Sequence, residues 1–533
     1  MKTRHLFLTG LAAAVLSACG GGGGESTAPA ATKISGTAAV GAALGNAAVQ
    51  AKCASGSGTA TTAADGSFTI SIAGATRPCV LSVKAPDGTT LHSVVEAGTG
   101  TTATANITPL TELVTASLAQ GNTDAFFEQF DANAQARLST DNVNAAIGAV
   151  RLVLTGVVDF SNIDPVKDPL VAANGANAGN AQDKLLDQLG DRLEASKTTL
   201  AELSSAVAAN AGATAVQTVL QPAAASCAGL KTGKYHVVGL GTAAAEAGEI
   251  DAAALKLQIG AEVIPFTAVT ADACRFTVPG ENSTTNTALV SKSGLGVVLP
   301  PAGTLSELPT LLVPAQAIAL TDLAGDWNGL GMERYDNTTP YAPRRVTFSI
   351  DTAGKVTKGA DCSGIDTCEA WLPNELPTVS ANADGSFKIT DSFGVQFAYA
   401  FKGTDGQVTV IITHDDGFMI AAKQIARALP AVGSGGSYWD SILYSGMAPV
   451  LNGPTAWSTT IASVDAQTGT YTRKRLEDNR LDVWKVNSPA IGLRHRAATS
   501  NASEMISLIP GNTGLTLGIA VNGSFYDISV GRP

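Results

Sequence analysis

A basic and aromatic stretch near the C-terminus holds the residues whose types are best suited to binding. The segments "YTRKRLEDNRLDVWKV" and "GLRHR" contain Arg473, Arg475, Trp484, Arg494 and Arg496. Guanidinium groups pair with carboxylates and phosphates through two N–H donors, and residues two apart on a strand share a face. This pattern predicts a binding patch for an anionic glycan, lipopolysaccharide or a protein partner. The alternative is a solvated hairpin whose cations protect a sheet edge from aggregation.

The segment "THDDGFMI" places His414 beside Asp415 and Asp416. A histidine next to two carboxylates could act as a base or hold a metal ion. However, Asp-Gly between two apolar runs is a strong signal for a tight hairpin. We therefore interpret this segment as a turn.

Two further groups of carboxylates have oxygen ligands of the kind that calcium prefers. They are Asp361, Asp366 and Glu369 beside Trp371 in "DCSGIDTCEAW", and the helical series Asp183, Asp187 and Asp191. The first group does not have EF-hand spacing, and acidic residues four apart are typical of a solvated helix face. The sequence therefore predicts no metal and no cofactor.

Catalytic motifs are missing from the sequence. It contains no HExxH, GxSxG or GxxxxGK pattern, which would indicate a zinc hydrolase, a serine hydrolase or a phosphate loop. A catalytic triad can be assembled from distant residues, so an envelope hydrolase remains an alternative. It would need a pocket around His236, His414 or His495. A non-enzymatic binding or scaffold protein is the favoured interpretation.

The N-terminus predicts export. Lys2 and Arg4 precede the short apolar run "LFLTGLAAAVLS", the arrangement of a secretory signal peptide over residues 1–18. The run ends in Leu-Ser-Ala-Cys at Cys19, which resembles the lipobox of bacterial lipoproteins. That resemblance implies cleavage before Cys19 and acylation of Cys19. Gly20 after the cysteine implies sorting to the Gram-negative outer membrane, with an orientation toward periplasm or cell surface left open. Residues 19–32 then form a lipid anchor and a Gly-rich flexible tether.

Six cysteines remain once Cys19 is set aside. An even number in an exported chain indicates disulfides, and six cysteines allow 15 pairings. We predict the local pairing, because each pair then lies within one module. The predicted bonds are Cys53–Cys79, Cys227–Cys274 and Cys362–Cys368.

Residues 33–107 have the alternation and turn spacing of a β-sandwich. The stretch "ISGTAAVGAALGNAAVQAKC" followed by "TTAADGSFTI" resembles the carboxypeptidase regulatory-like, or transthyretin-like, domain. The resemblance implies an accessory sandwich without catalytic residues of its own.

Residues 108–225 change to a helical period, with apolar stripes that fit a small bundle. Residues 226–533 return to strand patterns. We divide them into a β-rich module over 226–320 and a β-rich region over 321–533, which divides further near residue 432. First strands are predicted at Tyr235, Trp327 and Trp439.

The expected fold class is therefore multidomain α+β, with an N-terminal β-sandwich, a central helical bundle and a C-terminal antiparallel barrel or sandwich region. Trp327 and Trp439 also suggest a second alternative function, a lipocalin-like carrier of a small apolar ligand. Nucleic acid is not expected as a partner, because the formal charge is −11 and phosphate binding needs a basic face. The membrane is expected to be contacted through the lipid anchor.

Overall fold

The structure is a computed structural model that describes residues 30–392 and 394–533. The predicted signal peptide and Cys19 lie outside the described residues. The chain is mostly β-strand, and its α-helices fall between Pro109 and Val219. This confirms the coarse expectation of a strand-rich chain with a helical segment in its first half.

The first strands form two sheets around one core. Their orders are β4-β1-β7 and β3-β2-β5-β6. Phe68 and Ile70 alternate with exposed residues along β4, as the sequence predicts, and pack with Val49 and Leu81 of the other sheet. The strands are β1 (Ala31–Thr37), β2 (Ala48–Ser55), β3 (Ser57–Thr61), β4 (Ser67–Ala73), β5 (Thr76–Lys84), β6 (Thr90–Val95) and β7 (Thr102–Thr104).

The helices begin where the sequence signals a start. The Thr108 side chain accepts a hydrogen bond from the N–H of Thr111 at 3.2 Å, and Pro109 occupies the first turn, where its missing N–H costs nothing. Glu112 on this helix accepts the backbone N–H of His92 at 2.7 Å, which ties the helices to β6. The helices are α1 (Pro109–Ala119), α2 (Thr123–Glu128), α3 (Ala132–Ala136), α4 (Thr140–Val153), α5 (Ala181–Ser196), α6 (Leu200–Ala208) and α7 (Gly212–Val219).

A short hairpin of β8 (Ala223–Ala224) and β9 (Cys227–Lys231) leads into the first of three large sheets. Sheet I has the order β13-β12-β11-β10-β19-β17-β16-β15-β14. Its strands are β10 (Gly233–Gly239), β11 (Glu246–Asp251), β12 (Lys256–Ile259), β13 (Glu262–Pro265), β14 (Thr267–Ala268), β15 (Arg275–Pro279), β16 (Thr285–Val290), β17 (Gly296–Leu299) and, after the short β18 (Gly303–Thr304), β19 (Thr310–Pro314).

Sheet II has the order β23-β22-β21-β20-β28-β27-β26-β25-β24. Its strands are β20 (Gly325–Glu333), β21 (Ala342–Ile350), β22 (Val356–Ser363), β23 (Thr367–Ala370), β24 (Thr378–Ala381), β25 (Phe387–Thr390), β26 (Val395–Lys402), β27 (Val408–His414) and β28 (Gly417–Lys423). His414 pairs with Gly417 across β27 and β28, which confirms the predicted turn. Its two loop residues are Asp415 and Asp416, and Gly417 is the first residue of β28.

Sheet III has the order β18-β30-β29-β36-β35-β34-β33-β32-β31, and β30 also pairs with β31. That extra pairing closes strands β29 to β36 into a barrel. Its strands are β29 (Gly435–Tyr444), β30 (Val450–Asp465), β31 (Thr470–Arg475), β32 (Leu481–Val486), β33 (Leu493–Arg496), β34 (Met505–Leu508), β35 (Leu515–Ala520) and β36 (Phe525–Gly531).

The three large sheets share one topology. Each is an antiparallel meander whose first strand also pairs with its last strand, so β10 pairs with β19, β20 with β28 and β29 with β36. The first strands carry Tyr235, Trp327 and Trp439, the positions predicted to open modules. Sheet I and sheet II lack a ladder between their fourth and fifth strands within the described residues, whereas sheet III is closed.

One apolar core joins the three large sheets. The Phe418 ring of sheet II meets the Tyr526 ring of sheet III edge-on, with centroids 5.1 Å apart. Trp439 of sheet III is fully buried, and its indole N–H donates to the Asp272 carboxylate beside sheet I at 2.9 Å. The outward faces of the strands that meet in this core are therefore apolar, because they pack against another sheet.

The three predicted cysteine pairs are bonded in the structure. They join Cys53 to Cys79, Cys227 to Cys274 and Cys362 to Cys368. The first two bonds close loops of 26 and 47 residues, and in the chain-entropy model such loops stabilise a fold by about 3–4 kcal/mol each.

Candidate functional site

The predicted binding residues converge inside the barrel of sheet III. Every second residue of β31, β32 and β33 faces the lumen of this barrel. The alternation brings Trp484 and four arginines of these strands to a common cavity of about 310 Å³. The members of the predicted patch that line it are Arg473, Arg475, Trp484, Arg494 and Arg496, joined by Arg480.

The expectation of an exposed patch is wrong. Only 6% of the Arg496 side chain and 16% of the Arg473 side chain are exposed. The alternative of a protected sheet edge is also wrong, because β31 pairs with both β30 and β32. The physical reason is closure: in a barrel the inner strand face becomes an enclosed lumen rather than a surface.

A single buried carboxylate holds three of these cations. Asp482 lies 3.1 Å from Arg473, 3.0 Å from Arg480 and 3.4 Å from Arg496. Burial alone would raise the pKa of Asp482, but Arg496, Arg473 and Arg480 outweigh it and hold that pKa below its ordinary value. Burial lowers the pKa of Arg496. Attraction to Asp482 raises it again in part, and repulsion from Arg480 and Arg473 lowers it further, so that the pKa stays below its ordinary value. The lumen is thus crowded with positive charge.

Arg494, another arginine of the lumen, has neutral partners. Arg494 donates to the Tyr471 hydroxyl and to the Ser507 hydroxyl, each at 2.9 Å. No salt bridge to Arg494 occurs among the described residues. Its charge is therefore available to an anion.

Trp484 lies at the centre of this cluster. The guanidinium carbons of Arg473, Arg494 and Arg496 lie 5.3, 4.8 and 5.2 Å from its ring centroid, within the range of cation–π attraction. Its ring is 2% exposed. The indole therefore shields the guanidinium groups from one another and keeps them in a fixed array.

Five buried N–H groups on the residues lining this cavity have no hydrogen-bond partner within the described part of the chain. They are the Nε groups of Arg473, Arg480, Arg494 and Arg496 and the Nε1 of Trp484. Buried donors are almost always satisfied, and leaving one unsatisfied costs about 1–3 kcal/mol. The cluster therefore concentrates polar donors that lack a protein acceptor around one cavity, which favours an anionic environment there.

The lumen also contains a carboxyl pair that sequence reasoning missed. Burial raises the pKa of Asp527 well above its ordinary value, and the neighbouring Asp440 raises it further, while Arg473 and Ser529 oppose the shift. The buried site therefore favours the neutral, protonated form of Asp527. On β36, Asp527 lies between the apolar residues Tyr526 and Ile528, but this alternation identifies an inward carboxyl only once the inner face of the barrel is known.

A second cavity lies inside sheet II and has the opposite chemistry. It measures about 370 Å³ and is mostly apolar. Trp327, Phe348 and Trp371 line it with near-parallel rings, their planes inclined by 7° and 15° at centroid distances of 6.1 and 6.4 Å. Of the two tryptophans that suggested a carrier, Trp327 faces this cavity. Trp439 does not, because it packs between sheets; Tyr438 takes the inward position on β29.

The other sequence candidates do not assemble into a site. His236, His414 and His495 lie on sheets I, II and III, and none lines either cavity. Within residues 30–392 and 394–533, no three His, Cys, Asp or Glu residues are arranged to hold a metal ion. Asp361 instead bonds Arg344 at 2.8 Å. The expectation of a solvated helix face is wrong at Asp183, which is fully buried in the first turn of α5 because its carboxylate accepts the backbone N–H of Ala173 at 3.1 Å.

No family model and no curated protein matches the chain. Among solved structures, a double mutant of the vaccine antigen transferrin binding protein B from Haemophilus parasuis is 9% identical, with 56% of this chain and 66% of that chain covered and a TM-score of 0.16. A single mutant of the same antigen gives 10% identity, coverages of 54% and 64%, and a TM-score of 0.12. The chain thus spans slightly less than two thirds of these antigens. TM-scores this low carry no argument about fold or function.

No helix among the described residues is both long enough and apolar enough to span a membrane.

Proposed function

We propose that the chain is a non-enzymatic binding protein of the cell envelope whose sheet III barrel holds an oxyanion group of an anionic saccharide. The observation that supports this proposal is the concentration of five arginines on one cavity, with Arg494 having no carboxylate partner among the described residues. Phosphate, sulfate and carboxylate groups are the acceptors that arginine forks match best.

The walls of the cavity favour a sugar over a bare ion. Trp457, Tyr444 and Phe525 line the same cavity as the arginines, and aromatic side chains offer apolar faces on which a sugar ring can rest. The volume of about 310 Å³ is at the lower end of the range for ligand pockets. It suits one charged sugar unit, such as the end of a glycan or a phosphorylated headgroup of lipopolysaccharide.

Calorimetric titration tests this proposal with glucose 6-phosphate and glucose, which differ only in the oxyanion. We expect the phosphate ester alone to bind, and Arg494→Met to weaken binding about tenfold or more, equivalent to about 1.4 kcal/mol. Arg275→Met is the matched control, because Arg275 lies on sheet I beside Asp272. Equal binding of glucose, or an unchanged affinity in Arg494→Met, contradicts the proposal.

We further propose that Cys19 is lipidated and holds the protein at the outer membrane, on the strength of the N-terminal motif. Stable attachment requires more than one acyl chain, which lipoprotein processing supplies. Cys19→Ala should move the protein from the membrane fraction to the soluble fraction, as measured by fractionation and immunoblotting. Retention in the membrane fraction would show that another segment anchors it.

A further inference from the structure

The cavity of sheet II has an apolar interior and an acidic mouth. Its interior is built by Trp327, Phe348, Val346, Val410 and Met419, and Trp327 is fully buried. The charged residues of its wall are the ones that reach solvent, since the Asp361 and Arg344 side chains are 42% and 47% exposed. A ligand would therefore place an apolar body inside and a polar end at the mouth.

The mouth carries an excess of negative charge. Three carboxylates and one guanidinium in the cavity wall carry this charge, those of Glu333, Asp361, Glu375 and Arg344, and His414 lies 3.5 Å from Glu333. Arg344 already pairs with Asp361 at 2.8 Å and with Glu333 at 3.8 Å. The charge of a bound polar end is thus expected to be positive, because an anionic end would meet charge of its own sign.

Trp371 is held over the cavity by specific contacts. Its backbone N–H donates to the Gly359 carbonyl at 2.9 Å, and its indole N–H donates to Asp361 at 2.8 Å. A Cβ at position 359 would lie 1.8 Å from the Trp371 ring, so only glycine allows the ring to lie on β22. The bond between Cys362 and Cys368 joins β22 and β23 directly before this tryptophan.

One wall of the cavity is a connecting segment, which is tied to the start of β22 by the Val356 N–H donating to the Pro377 carbonyl at 3.0 Å and by the bridge between Lys355 and Thr378. No ladder joins β23 to β24 among the described residues, and the segment that connects them contains Trp371, Glu375 and Pro377, all of which line the cavity. Aromatic rings also attract cations at their faces. This wall of the cavity is therefore both acidic and aromatic.

We propose that the cavity of sheet II binds a small apolar molecule with a cationic end, of the class of alkyl or aryl amines. This site is separate from the sheet III lumen, whose inner charge is positive, and it does not depend on the anion-binding proposal. The two sites are therefore expected to bind ligands of opposite charge.

The test uses the full chain carrying Cys19→Ala, so that no acyl chain can enter the cavity or bind the probe. The fluorescent probe is N-phenyl-1-naphthylamine, displaced by decylamine or decanoate, which have equal chain length and opposite charge. We expect decylamine to displace the probe at a concentration about tenfold lower than decanoate, a difference of about 1.4 kcal/mol. Displacement by decanoate at an equal or lower concentration would overturn the proposal.

Substitutions locate the probe. Ala398 lines the cavity, and Ala398→Trp should fill it and reduce probe affinity about tenfold or more. Val395→Trp is the matched control, because Val395 is 48% exposed on the same strand. Gly359→Ala, which moves only Trp371, should weaken the probe about threefold even if Ala398→Trp fails to fold. If the probe bound with unchanged affinity to Gly359→Ala and to a folded Ala398→Trp variant, the assignment of the probe to this cavity would be overturned.

Arg494→Met distinguishes this proposal from the anion site. We expect that variant to lose glucose 6-phosphate binding and to bind N-phenyl-1-naphthylamine like the parent chain. Loss of the probe in Arg494→Met would mean that the probe occupies the sheet III lumen, which would overturn the assignment to sheet II.

Discussion

Sheet II and sheet III are built from the same antiparallel meander and have opposite interiors. In sheet II the inner face carries Trp327 and Phe348, and in sheet III it carries Arg473, Asp482 and Arg496. The outer faces of both sheets contribute apolar residues to the same shared core. The comparison shows that topology does not fix the chemistry of a barrel's interior. Once a sheet's outer face is buried against neighbouring sheets, the inner face is free to be polar.

The largest expected effect is a difference in the free energy of unfolding between a variant of a buried ion cluster and a variant of an exposed one. Asp482→Asn removes the carboxylate shared by three buried guanidinium groups, and losing one partner of a buried ion pair costs about 3–5 kcal/mol. Asp361→Asn removes a carboxylate that is 42% exposed, and such surface pairs contribute up to about 1 kcal/mol. Urea unfolding of both variants measures the difference. Equal losses would contradict the distinction between the two interiors.

The second effect concerns pH and belongs to sheet III alone. The folded-state pKa of Asp527 is raised well above the ordinary value of 3.8. The unfolded chain has the ordinary pKa, and the folded state has the raised one. At pH values between the two, the folded state binds more protons than the unfolded state, so folding stability falls as pH rises through this window. Asp527→Asn should remove this fall, making the unfolding midpoint less dependent on pH.

Ser507→Ala is the control for the Asp527 variant, because Ser507 lines the same lumen and accepts a hydrogen bond from Arg494 at 2.9 Å but carries no charge. It should leave the pH dependence in place. An unchanged pH dependence in Asp527→Asn would show that this carboxyl is not the group responsible.

The smallest effect lies within the predicted patch itself. Arg475 has its own partner, Asp478, which is 41% exposed, and its guanidinium carbon stacks 3.8 Å from the Trp457 centroid. Arg475→Met should therefore cost about 1 kcal/mol or less and weaken glucose 6-phosphate about threefold at most. Calorimetry beside Arg494→Met makes the comparison. A larger loss of affinity in Arg475→Met would mean that the anion binds nearer to the cavity mouth than proposed.

Several parts of the fold could be predicted from local pattern. The capped start of α1 at Thr108, the turn after His414 and the first strands at Tyr235 and Trp327 all follow from residues close together in sequence. The cysteine pairs were also predictable, because each closes a short loop. The boundaries between modules and the resemblance of residues 33–107 to a regulatory-like domain remain predictions.

The candidate sites were only partly predictable. The basic stretch correctly gathers Arg473, Trp484 and Arg496, but alternation along a strand gives two faces without showing which one is enclosed. Trp439 illustrates the same limit, because its neighbour Tyr438 takes the inward position. The cavity of sheet II joins Trp327 to Trp371, which are brought together by pairing across β20, β21 and β22.

The sequence by itself determined the residue types, the alternation of the strands, the helix starts and the local disulfides, because these depend on neighbours along the chain. Only the tertiary structure decided that the arginines face a lumen and the aromatic rings a cavity. Closure of sheet III and burial of the outer faces in one core are long-range events, and they alone determine which side of a strand meets water, ligand or protein.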